Sequence, residues 1–161
     1  MAIVAIALLS AQDKPDFSGE WVLESGASGE PDVPQRISVR QLLVTTNVRG
    51  EPMPPFFKEV AITRITADTA RSETHQIGVV GGSVSGRPGG IESRTRSRTV
   101  WEGQSLVFEL DTYTGSTPES GYWSSRREVW SQDTTERLRI VVFARSSFDQ
   151  PKTLVLAYRR N

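Results

Sequence analysis

The sequence predicts an all-β protein, a single antiparallel up-and-down β-barrel of eight or nine strands. Three observations carry that prediction. Beyond Asp16, no run of ten residues places apolar side chains at helical spacing. Alternation of apolar and polar residues recurs instead, punctuated by Gly, Pro, Asp and Ser. Nine such segments follow one another with short connections, and twist and exposed edges favour closing so many strands on themselves.

Composition narrows the function classes. A chain of 161 residues suits one domain with a real core. Its 19 basic and 19 acidic side chains cancel, which argues against a protein built around nucleic acid or an anionic membrane surface. Cysteine is absent, so disulfides, thiolate catalysis and Cys-type zinc sites are excluded, and the single histidine, His75, excludes any site needing two imidazoles.

The elements follow in chain order. Residues Met1 to Leu9 are nearly all apolar and lead into Ser10-Ala11-Gln12. Spanning a bilayer takes about 20 apolar residues, so no membrane span is expected. The length suits the apolar part of a secretory signal peptide cleaved near Ala11, with an ordered N-terminal strand or helix as the alternative. Residues 1–11 therefore read as an export address to the periplasm or exterior, and 16–161 as the barrel domain. The expected strands are Ser18–Ser25, Arg36–Val48, Phe56–Thr66, Thr69–Val79, Glu92–Glu102, Ser105–Tyr113, Tyr122–Ser131, Arg137–Ser146 and Thr153–Arg160.

One hairpin permits a register test. The turn Glu102-Gly103-Gln104-Ser105 sets Trp101 opposite Leu106, Thr99 opposite Phe108 and Ser97 opposite Leu110. On the other face Arg98 meets Glu109 and Arg96 meets Asp111, so the charged row belongs outside and Trp101, Leu106, Phe108 and Leu110 point inward. For the next strand, setting Tyr113 against Tyr122 turns Trp123, Ser125, Arg127 and Val129 inward. Arg127 would then need a carboxylate, water or ligand beside Phe108, whereas a loop shifted by one residue leaves it solvated. Leu138–Phe143 and Leu154–Tyr158 are apolar on both faces, so a second layer is expected over them, either the N-terminal segment or a partner subunit in a homodimer.

With the barrel argued, Phe17-Ser18-Gly19-Glu20-Trp21 gains meaning. Gly-x-Trp on a first strand, preceded by an aromatic residue, resembles the opening motif of lipocalins and other calycins. The chain is also similar to small exported bacterial proteins of lipocalin-like type, which begin in this way and end in a Tyr-Arg-Arg-like tail, here Tyr158-Arg159-Arg160. The resemblance implies that Trp21 closes the barrel floor beneath Arg159 or Arg160, a cation–π contact.

Candidates for chemistry are few. Arg71, Glu73 and His75 share one face of a strand, and those charged neighbours point to a solvated histidine on the outer wall. The functional alternatives are a general base tuned by Glu73, or an axial haem ligand as in some calycin barrels. No carboxylate cluster has metal-site spacing, and no metal or cofactor is expected. The glycine-rich run Gly78–Gly90 lacks the Gly-Lys-Ser/Thr ending and following helix of a phosphate cradle, so it reads as a flexible hairpin loop over the mouth. Glu51–Phe57, rich in proline with Met53, Phe56 and Phe57, reads as a lid or as the start of a core strand. Arg94, Arg96 and Arg98 form a stripe that Glu109 and Asp111 neutralise without interleaved aromatics, and nucleic-acid binding is set aside.

The expected function is binding of a small, largely apolar molecule inside the barrel. Trp101, Leu106, Phe108 and Leu110 would line the pocket, and Ser97, Thr99 and Arg127 would orient the ligand. One alternative is a small barrel hydrolase, cyclase or isomerase using His75, Glu73 and Arg127. The other is an interaction module that dimerises through its C-terminal strands.

Overall fold

The computed structural model describes residues 14–26, 32–86, 90–116 and 121–161; the expected leader, residues 1–11, lies outside them. Every one of the nine alternating segments forms strand, and the architecture is all-β and antiparallel. The strands are β1 (Gly19–Ser25), β2 (Arg36–Val44), β3 (Asn47–Val48), β4 (Glu51–Pro52), β5 (Phe56–Ile65), β6 (Ala70–Gln76), β7 (Val80–Gly86), β8 (Glu92–Glu102), β9 (Ser105–Gly115), β10 (Tyr122–Thr134), β11 (Arg137–Ser146) and β12 (Lys152–Arg160). Among the described residues the short β3 and β4 pair only with each other, and the other ten strands form one sheet.

That sheet corrects the closed barrel of eight or nine strands. Its order is β6-β5-β2-β1-β12-β11-β10-β9-β8-β7, a chain-ordered circle in which first and last strands pair but β6 and β7 do not. β7 falls in the glycine-rich run read as a loop. Its residues facing the concave side are Gly81, Ser83 and Ser85, opposite Ser97, Thr95 and Ser93 of β8. No apolar side chain there gains by closure, so the driving force that seals the other seams is missing. A lone parallel bridge, Ile77 to Thr99, with Gly78 N–H donating to Thr99 O at 2.7 Å, ties the base of the gap.

The core fills the concave side. Cross-strand ranks run from β12 to β8: Leu156, Ile140, Trp130, Leu106, Trp101 near one end, then Leu154, Val142, Glu128, Phe108, Thr99. Phe17 crosses this end, fully buried, stacked on Trp101 with centroids 6.0 Å apart and edge-on to Trp130 at 6.2 Å. Trp21, also fully buried, donates its Nε1–H to Phe17 O at 2.9 Å. Its cross-strand partner is Arg160, whose guanidinium lies 4.6 Å from the indole centroid and donates to Ser18 O and Thr135 O, both at 3.0 Å. Gly19 is required here: its φ is +139°, and a Cβ would stand 2.7 Å from Arg160 Nη1. Of the two terminal arginines it is Arg160 that packs on Trp21; Arg159 pairs with Val22 and Arg137 and is exposed.

Candidate functional site

Strand registers decide which side chains reach the interior. The β8–β9 hairpin has the expected register, Trp101 with Leu106 through Thr95 with Thr112, and Arg98 and Glu109 pair outside at 3.8 Å. The β9–β10 register differs by one residue from the expected one: Thr114, not Tyr113, faces Tyr122. With a side-chain period of two, that single step exchanges the faces of the whole strand. Arg127 is therefore an outer residue, a correction to its expected inward placement. It pairs with Glu102 at 2.6 Å and Glu109 at 3.7 Å. The inward set becomes Arg126, Glu128 and Trp130, and Trp123 lies outside with Arg145 5.8 Å over its ring.

Inside, these residues meet β5 and β6. The alternation Val60, Ile62, Arg64 carries Arg64 onto the core face. Arg64 Nη2 donates to Glu128 Oε2 at 3.0 Å and Arg64 Nε to Glu73 Oε1 at 2.9 Å. Glu128 is almost fully buried and receives two further donors, Trp130 Nε1–H at 3.0 Å and Arg126 Nε at 2.9 Å. Burial works to raise the Glu128 carboxyl, but Arg64, Arg126 and the indole N–H outweigh it and hold it below its usual value. Burial likewise opposes the charge of Arg64, and its two carboxylates reverse that effect and raise it.

His75 also faces inward, not onto a solvated outer wall as its charged neighbours suggested. Its ring packs edge-on against Phe108 at 5.0 Å, and its Nε2 lies 3.5 Å from Glu73 Oε2 without hydrogen-bond alignment. Chiefly through this imidazole, and with Arg64 on its other side, Glu73 is lowered to about 2 against the opposing effect of burial.

A cavity of about 140 Å³ lies on the β11–β12 side of this cluster, reaching from exposed Asp32 and Lys152 down to buried Ile140 and Tyr158. Val142, Leu154 and Leu156 form its apolar wall, and Arg64 and Arg126 its polar one. Tyr158 donates its hydroxyl to Pro34 O at 3.0 Å, and burial pushes its phenol above the usual value. A second recess, of about 440 Å³, lies near the β11–β12 turn among Arg127, Phe143, Arg145 and Thr153.

The residues expected to line a pocket occupy the opposite wall. Trp101 is spent on Phe17, while Leu106, Phe108 and Thr99 are packed in the core. Leu110 and Ser97 stand in the rank of Arg126 nearer the mouth, where Leu110 is 42% exposed. None of these six borders this cavity. The residues missed were Arg64, Arg126, Glu128 and Tyr158. A signal existed: opposite charges replacing apolar residues in two alternating strands, at Arg64 beyond Ile62 and at Glu128 before Trp130.

Among the described residues no group of three or more His, Asp or Glu could hold a metal ion, and no helix is long and apolar enough to cross a membrane. No protein-family model matches the chain, and no curated protein matches it.

Proposed function

We propose that the protein binds a small, largely apolar molecule with one polar end, held on the concave side of a curled, lipocalin-like sheet. The observation that carries this reading is a polarity gradient. From the floor outward the inner ranks run from Ile140 and Trp130, through Val142 and Glu128, to Ala144, Arg126 and Leu110, and finally to Ser146, Ser124, Thr112, Thr95 and Ser83. An amphiphile entering from the mouth meets hydroxyls and Arg126 first and an apolar wall at depth. Arg126 spends its Nε on Glu128 and is half exposed, so its fork retains donors for an acceptor on the ligand. At about 140 Å³ the cavity is smaller than the roughly 300 Å³ at which pockets for drug-sized ligands begin, so the occupant is small or projects from the mouth.

The enzymatic alternative draws on the inward His75–Glu73 pair, but neither residue borders the cavity, and Arg64 stands between them and it. A dimer through the C-terminal strands draws on Phe143 and Val155, which are 43% and 48% exposed on the outer wall. The test is an NMR titration with hexanol, hexanoate and indole, reading shifts at Leu154, Ala144 and Arg126. Ala144→Phe, which fills the mouth from a half-buried position, should abolish those shifts with little change in Tm. Equal binding by the variant, or no binding of any probe by the parent, would overturn the reading.

A further inference from the structure

The two edges of the ten-stranded sheet are built differently. β6 reads Ala-Arg-Ser-Glu-Thr-His-Gln, carries charge, and anchors Glu73 and His75 in the interior. Charged residues along an edge are a common device against strand addition. β7 reads Val-Gly-Gly-Ser-Val-Ser-Gly and has no charge, no proline and no bulge over seven residues. Among the described residues it pairs with β8 alone, none of its side chains belongs to the core, and Val80 and Val84 are 54% and 70% exposed. Among the described residues no strand pairs with its other side, whose backbone N–H and C=O groups form a template for strand addition.

We infer that β7 is an association edge and that its partner is β7 of a second copy of this chain, antiparallel about a two-fold axis at Ser83. The residue order favours this occupant. An antiparallel pair centred on Ser83 places Val80 opposite Gly86 of the second copy and Val84 opposite Gly82, while Gly81 meets Ser85 and Ser83 meets itself. Each valine thus lies over a glycine, so the strands approach without steric conflict and every exposed valine gains cover. Val80, Gly82, Val84 and Gly86 share the outer face, and Gly81, Ser83 and Ser85 the concave one. The central serines extend a row that already crosses the sheet. Ser83 and Thr95 hydroxyls lie 2.5 Å apart, and those of Thr112 and Ser124 lie 2.6 Å apart in the same rank. A self-pairing edge would carry this row unbroken into the second subunit. With no charged side chain on β7, the strand itself brings no like charges together, as an edge built like β6 would.

The chain contains no cysteine, so one introduced thiol reports its own position without background. Sedimentation velocity of the full chain should show a concentration-dependent monomer–dimer equilibrium, which Val84→Lys weakens at least tenfold while leaving the far-ultraviolet circular dichroism unchanged. Under mild oxidation Ser83→Cys should cross-link to a covalent dimer many times faster than Val155→Cys on the outer wall. A parent that stays monomeric at every concentration would overturn the inference. So would a dimer indifferent to Val84→Lys, or one that cross-links faster through position 155 than through position 83.

Discussion

Arg127 and Glu128 are neighbours in sequence and belong to two arginine–glutamate networks on opposite faces of β10. Outside, Arg127 joins Glu102, Glu109 and Arg98, all with about a third to a half of their side-chain surface in water. Inside, Glu128 joins Arg64, Arg126 and, through Arg64, Glu73. The chemistry is the same and the environment is not. Outside, solvent and salt screen each charge, and the pairs report register more than they hold the fold. The Arg127–Glu102 pair still does something local, crossing diagonally above Val107, which has no exposed surface although it points away from the core. Inside, Arg64 and Glu128 are largely out of water, each stays ionised beside the other, and removing one strands its partner.

The largest expected effect follows from that contrast. Arg64→Met leaves Glu128 and Glu73 without their shared cation and should destabilise the protein by about 3–5 kcal/mol in urea unfolding. Adding Glu128→Leu should restore much of the loss; if Arg64→Met costs no more than a surface substitution, the interior network is not the keystone described. Next, Trp130→Phe keeps the ring but removes one donor to the buried carboxylate, and should cost about 1–3 kcal/mol.

Acid sharpens the comparison further. Glu73 and Glu128 are both depressed in the folded state, so their stabilisation is complete above the unfolded glutamate value of about 4.3 and is lost as pH falls through the folded values. For Glu73 that window runs from there down to about 2. Stability measured by denaturant midpoint should fall across this range in the parent and fall less steeply in Glu73→Gln. A parallel curve for that variant would contradict the assignment. The smallest effect belongs to Glu102→Gln, expected below about 1 kcal/mol and vanishing in molar salt. A cost rivalling that of Arg64→Met would erase the distinction between the two faces.

Much of this was legible in the chain. Alternation located nine strands, and the close turn at Gly103 set the β8–β9 register, because a tight hairpin leaves no freedom in pairing. The β9–β10 connection is longer, and there a single residue moved Arg127 out and Glu128 and Trp130 in. His75 escaped for a related reason: charged neighbours on its face suggested water, but one of them, Glu73, pairs inside with Arg64 of β5, which also reaches Glu128 of β10. β7 was unreadable as strand because glycine and serine have little intrinsic preference for one, and its pairing comes from β8.

By itself the sequence determined the class and the meander order. These follow from local periodicity and from turn residues. Tertiary structure alone decided where the sheet stays open and which ions are buried. Both depend on what stands opposite, across strands tens of residues apart: hydroxyls and glycine at the gap offer no apolar area to bury, and a charge is admitted to the interior only where a distant strand delivers its counter-ion.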